Sequence, residues 1–186
     1  LLTVEALDVT DLEQIDSLAL KLQDQPIDIL VNNAGITGDP MKTQMFTNID
    51  YSGFDTVMHV NVLGPLKMAE AFYPHVRASR QKKIITVSSS QGSIAKTFGL
   101  GYFYRSSKAA VNMVMATMAK ELARKEIIIG LVNPGPTATG MMKNMPPGME
   151  LRDPVVATAD MIRNIDGLTL ETTGSFLQYD GTILPW

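Results

Sequence analysis

Residues 27–38 read IDILVNNAGITG: a short run, apolar except at Asp28 and Asn32, followed at once by a small, polar, glycine-bearing turn. A brief β-branched run of this kind is expected of a strand buried on both faces. The signature recurs along the chain, so that 4–8 (VEALD), 84–88 (IITVS), 127–132 (IIIGLV) and 176–179 (FLQY) are also expected strands. Helical periodicity fills the intervals, over 11–24, roughly 51–79, roughly 103–125 and 154–165. Thr10 with Glu13 three residues on reads as a capping box, and Pro154 suits a first helical turn. Strand–helix alternation predicts one α/β domain spanning 1–186, a doubly wound parallel sheet with helices on both faces.

In such sheets ligands bind beyond the carboxyl ends of the strands. Three of those ends carry small, polar, glycine-rich turns: NNAGITG (32–38), SSSQGS (88–93) and NPGPTATG (133–140). One such turn is ordinary turn chemistry. Three at one sheet edge indicate a place where backbone approaches a ligand closely.

Composition removes several function classes. The net charge is −3 over 186 residues, without a clustered basic face, so neither nucleic acid nor an anionic membrane is an expected partner. The short basic spots at Arg80, Lys82, Lys83 and at Arg124, Lys125 are expected to cap helix ends or flank strands. There is no cysteine, which excludes disulfides and thiolate chemistry and fits a reducing, cytoplasmic setting. His59 and His75 lack a second ligand at metal spacing, so no metal is expected. No apolar run reaches the length of a membrane span, and residues 1–11 do not have the layout of a signal peptide.

The stretch YRSSK (104–108) puts Tyr104 four residues before Lys108, on one face of the expected helix. A nearby ammonium favours phenolate and would draw the tyrosine pKa down, which suits proton exchange with a carbonyl or alcohol oxygen. Taken alone, the pair reads equally as two amphipathic side chains on a helix. Ser88, Ser89 and Ser90 end an expected central strand, where a hydroxyl can reach the same oxygen. In HVNVLGPLK (59–67), Pro65 cannot donate to the Asn61 carbonyl four residues back. A local break there, freeing that carbonyl for a water, is the expectation.

The ordered set NNAG, Asn61–x–x–Gly64 with Pro74 beyond, a Ser–Ser at a strand end, Tyr–x–x–x–Lys and Asn–Pro–Gly resembles the short-chain dehydrogenase/reductases from residue 4 to 186. The wording of 88–112 and of FLQYDGTILPW is nearest to the C-factor-like branch. The resemblance implies an enzyme that moves hydride between NAD or NADP and a carbonyl or secondary alcohol on a small molecule. It makes Tyr104 the general acid/base and gives Lys108 the nicotinamide ribose hydroxyls and control of the Tyr104 pKa. Ser89 would polarise the substrate carbonyl, and Asn61 would hold a water through its main chain. Asp8 and Val9 would meet the adenine, and Asn33, Ala34 and Gly35 the adenosine ribose side. Pro134, Gly135, Thr137 and Thr139 would face the nicotinamide. The family often forms homodimers or homotetramers through the two long helices, here 51–79 and 103–125.

The spacing from Ser89 to Tyr104 is two residues longer than is common in the family, so Ser88 or Ser90 stays a candidate for the serine role. The extra loop around 96–101 is expected at the pocket mouth. The Met-rich stretch 141–149, with Phe98, Tyr102 and Phe103, is expected to make an apolar pocket. The family's first two strands and glycine-rich phosphate turn do not precede residue 4, so a longer parent chain is expected, with the 4–8 strand separated from its neighbours. The 2′-phosphate preference is not encoded in what remains. The rival expectation is a catalytically weak nucleotide-binding, regulatory or signalling protein on the same fold.

Overall fold

The structure is a computed structural model and describes residues 2–38, 44–142 and 148–186. In chain order its elements are α1 (Leu12–Lys21), β1 (Ile29–Asn32), β2 (Gln44–Met45), β3 (Asn48–Ile49), α2 (Phe54–Met58), α3 (Gly64–Arg77), β4 (Lys83–Val87), α4 (Tyr102–Leu122), β5 (Ile128–Asn133), α5 (Pro154–Asp166) and β6 (Phe176–Gln178). Strands β1, β4, β5 and β6 pair in that order, every pair parallel. β2 and β3 form a separate antiparallel pair that the sequence reading does not contain.

The register explains the apolar runs. Leu30, Ile84 and Ile129 are laterally aligned, and Leu131 is aligned with Phe176. These side chains share one core with Ile15 of α1, Phe72 and Val76 of α3, and Val111 and Met115 of α4. The alternate residues Ile85 and Val132 face the other way and pack with Ile165 and Leu168 at the end of α5. Both faces are therefore covered at β4 and β5, where period-2 alternation is hidden inside continuous hydrophobic runs, while Val31 of β1 stays 45% exposed. Each fully buried Ile or Leu contributes roughly 1.5–3 kcal/mol relative to exposure. Gly130 sits where a Cβ would lie 2.3 Å from Leu168 Cδ1 and 3.1 Å from Ile85 Cδ1, so a side chain there would force these two to repack.

Two local expectations are corrected. Residues 4–8 form no strand, because among the described residues no strand pairs with them; Val4 is 83% exposed. The first helix is capped by Asp11 rather than Thr10: the Asp11 carboxylate accepts from Glu13 N and Gln14 N, both at 3.1 Å. Thr10 instead gives its own amide and hydroxyl to Asp8 Oδ1. At the other end of the molecule Asp153 caps α5, with Pro154 at the first turn as expected. Lys83 is buried yet satisfied, donating to the last carbonyls of α5, Ile165 O at 2.7 Å and Asp166 O at 3.1 Å. That is the helix-end role expected for this basic residue.

Candidate active site

Parallel pairing brings the carboxyl ends of β1, β4 and β5 to one edge. The turns 33–38, 88–93 and 133–140 therefore meet there, and α4 runs beneath them. The segment before α3 is not broken, as Pro65 led one to expect. It widens into one π-helical turn, His59–Leu63, in which Gly64 N donates to His59 O. A π turn inserted between α2 and α3 absorbs the missing Pro65 N–H without ending the helix. It also turns the Asn61 side chain inward, where only 1% of the residue is exposed. Asn61 Nδ2 donates to Ile36 O (2.8 Å) and to Ser107 Oγ (2.9 Å), and Asn61 Oδ1 accepts from Ile36 N (2.9 Å). The amide thus fastens the turn after β1 to α4.

Lys108 is 5% exposed, and its Nζ donates to Val87 O at 2.9 Å. No other acceptor of that ammonium is present among the described residues, so two of its three N–H groups are uncommitted. Desolvation without a counter-ion lowers its pKa to about 8. Gly35 packs beside both groups: a Cβ placed on it would lie in ordinary contact, 3.5 Å from Lys108 Nζ and 3.4 Å from Asn61 Oδ1. Buried, unspent donors beside a bare backbone fit a sugar diol, the group through which a nicotinamide nucleotide would be held.

Tyr104 lies on the same face of α4, its ring centroid 5.7 Å from Lys108 Nζ. The expected depression of its pKa by Lys108 is not what this geometry produces. Burial lifts the phenol above its ordinary range, and a hydrogen bond from Ser89 works in the opposite direction. Burial outweighs the Ser89 hydrogen bond. The three serines separate cleanly. Ser88 Oγ is directed into the protein, 2.5 Å from Asn112 Oδ1. Ser89 is extended and faces Tyr104, while also accepting from Gln91 N at 3.2 Å. Ser90 begins the short 3-10 turn that follows.

Three supporting residues have no sequence signal. Asn112 is buried and bridges the Ser88 hydroxyl to Gly92 O. Ser107, fully buried, donates to Tyr104 O and accepts from Asn61. Gln44 Oε1 accepts from Phe103 N at 3.1 Å and its Nε2 donates to Thr37 O at 3.2 Å, so it caps an α4 that has no side-chain cap of its own. Periodicity assigns each of these to a helix or loop; only the fold shows which backbone it reaches.

The remaining expected contacts are more dispersed. Gly64 brings the 8–9 segment to the start of α3, since a Cβ there would be 2.9 Å from Val9 O. Asp8 is exposed, with its carboxylate held below the usual range by the Thr10 bonds. Asn33 and Ala34 are exposed at the end of β1. Pro134, Gly135 and Thr137 are half-buried and Thr139 is exposed, and no hydrogen bond joins this loop to Tyr104 or Lys108 among the described residues. Phe103 is not a pocket wall: it is 2% exposed and packs edge-on against Phe54. Phe98 stays 79% exposed, with the Arg105 guanidinium 3.9 Å above its ring. Arg105 Nε donates to Leu100 O, so Arg105 secures the 96–101 loop rather than adding field at Tyr104. The Met-rich stretch lies partly outside the described residues, at 143–147; Met149 is 46% exposed.

Comparison with known proteins finds relatives and structures of the same fold along nearly the whole chain. Residues 2–150 match the short chain dehydrogenase family. The C-signal protein of Myxococcus xanthus is 36% identical over 162 residues, 87% of this chain and 93% of its own length. A 1-hydroxy-2-glutathionyl-2-methyl-3-butene dehydrogenase of Rhodococcus sp. (strain AD45) is 35% identical over all of this chain and 81% of its own. The NADPH-bound carbonyl reductase from chicken fatty liver superposes with a TM-score of 0.83 at 26% identity, over 99% of this chain and 77% of that one. With the parallel sheet, the π turn at Asn61 and the Ser89–Tyr104–Lys108 cluster already in place, the chain belongs to the short-chain dehydrogenase/reductases, a family of nicotinamide-dependent oxidoreductases.

Proposed function

We propose that this chain interconverts a carbonyl group and a secondary alcohol on a small molecule, with Tyr104 as the general acid/base. When bound, NAD(H) or NADP(H) supplies the hydride chemistry. Lys108 binds the nicotinamide ribose through its two uncommitted N–H groups. Tyr104, kept protonated at neutral pH, gives its proton to the carbonyl oxygen during reduction and takes one back during oxidation. Ser89 donates to the same oxygen and stabilises charge as it develops. The Asn61 carbonyl, in the π turn, holds a water that links Lys108 to solvent. Asp8, Val9, Asn33, Ala34 and Gly35 line the adenosine end, and Pro134, Gly135, Thr137 and Thr139 the nicotinamide end.

The observation that carries this reading is the desolvated pair of Tyr104 and Lys108 on one helix face, with Ser89 opposite and two lysine donors unspent. The decisive experiment compares wild type with Tyr104→Phe against a panel of ketones and aldehydes, with NADH and NADPH in turn. Loss of turnover with cofactor binding retained is expected; full activity in the variant would remove Tyr104 from the role. Self-association through α3 and α4, where Leu66 and Met113 are 40% and 68% exposed, and the cytoplasmic setting expected of a cysteine-free sequence belong to the same proposal. Sedimentation of the purified protein tests the first. A second reading, a nucleotide-binding signalling protein, draws on the name of the Myxococcus relative. It requires that Tyr104→Phe leave the biological effect intact.

A further inference from the structure

We propose that Arg152 is a positioning residue for the nicotinamide-side loop 134–139, and so sets how tightly this chain holds its cofactor. The inference rests on the function proposed above. After β5 the chain runs through Pro134–Thr139, and Arg152 packs back on that loop. Arg152 holds it with both backbone groups. Its N donates to Pro136 O at 2.7 Å, and its O accepts from Ala138 N at 3.0 Å. The side chain then reaches back over the same loop. Nη1 donates to Pro134 O at 2.7 Å, Nη2 pairs with the Asp160 carboxylate of α5, and the guanidinium carbon lies 4.0 Å over the Tyr179 ring.

One planar group thus ties the loop to α5 on one side and to the turn after β6 on the other. Asp160 is 15% exposed and also pairs with Arg163, and both arginines hold its carboxyl below the usual range, Arg152 first. Gly135 fits beneath. Its φ is +74°, and a Cβ there would lie 2.9 Å from Tyr179 and 3.0 Å from Arg152 Cδ. Any side chain at 135 would be strained and would displace the arginine. Lysine cannot reproduce the arrangement, because a point charge lacks the fork that serves Pro134 O and Asp160 together while stacking on a ring.

The expected consequence is a loop ordered before the cofactor arrives, so that binding does not include the free-energy cost of ordering it. The test uses Arg152→Met, which keeps the stem, with Arg152→Lys and Asp160→Asn as milder variants and Arg163→Met as control. Dissociation constants for NADH and NADPH are measured by cofactor fluorescence, and nicking within 134–142 by limited proteolysis. Arg152→Met is expected to weaken binding about 10-fold or more, raise the cofactor KM more than it lowers kcat, and accelerate nicking about fivefold. Arg152→Lys and Asp160→Asn should fall between, and Arg163→Met should match wild type. If Arg152→Met does not fold, the two milder variants carry the test. Wild-type affinity, or wild-type nicking, in the variants overturns the inference while leaving the proposed function standing. If wild-type protein binds neither cofactor, both fall.

Discussion

The two sides of the candidate site are built differently. On the α4 side, Tyr104, Lys108, Ser89 and Asn61 are held by buried side chains that bond to one another and to backbone: Asn61 to Ser107 and Ile36, Asn112 to Ser88 and Gly92. On the β5 side, the loop 134–139 leans on one residue, Arg152, through its backbone groups and its guanidinium, with short bonds within the loop beside it. A buried network is stiff because each unpaired member would be costly in low dielectric. A loop that leans on one residue holds its shape through that group and can be released by one change. Under the function proposed above, the rigid half carries the proton chemistry and the Lys108 contact to the ribose, and the adjustable half modulates cofactor affinity.

The sharpest break in this contrast is Tyr104→Phe. It is expected to lower kcat about 10²- to 10⁴-fold with little change in thermal stability, read from turnover and a melting curve. Next comes Gly92→Ala. The added Cβ would sit 2.7 Å from the Lys108 carbonyl carbon, backbone that cannot turn aside. A loss of about 1–3 kcal/mol in denaturant unfolding, together with a fall in kcat, is expected; an unchanged midpoint would show that the 88–93 turn is not packed on α4 as described. Asn112→Ala leaves the Ser88 hydroxyl and Gly92 O without their partner. It should cost about 1–3 kcal/mol and should shift kcat more than the cofactor KM. The reverse pattern would place Asn112 with the adjustable half.

The last prediction concerns Lys108 and pH. Folding lowers its pKa from 10.5 to about 8, so below pH 8 the buried charge is a full penalty on the native state. Between about 8 and 10.5 the unfolded chain binds more protons, and this contribution to stability rises with pH. Lys108→Met should therefore be the more stable protein at pH 7, with its advantage shrinking as pH climbs through that window. Parallel stability curves for the two proteins would contradict the burial assigned to this lysine.

Much of the fold is legible in the chain because its signals are local. Apolar runs mark β1, β4, β5 and β6 whatever they pair with, and Pro154 after Asp153 marks the start of α5. The 4–8 run failed as a strand because a strand is defined by a neighbour, and periodicity supplies none. Thr10 yielded the cap to Asp11 because two adjacent polar residues compete for the same amides and the helix start decides between them.

The sequence by itself determined the alternation of strand and helix, the three small turns, and the presence of Tyr104, Lys108, Ser89 and Asn61 in that order. All of these follow from residue type and short spacing. Tertiary structure alone decided the direction of the Tyr104 pKa, the turning of Ser88 to Asn112 and of Ser89 to Tyr104, and the contacts of Gln44, Ser107, Asn112 and Arg152. Desolvation and hydrogen bonding depend on what surrounds a group in space, and here the surroundings come from strands and helices far apart in the chain.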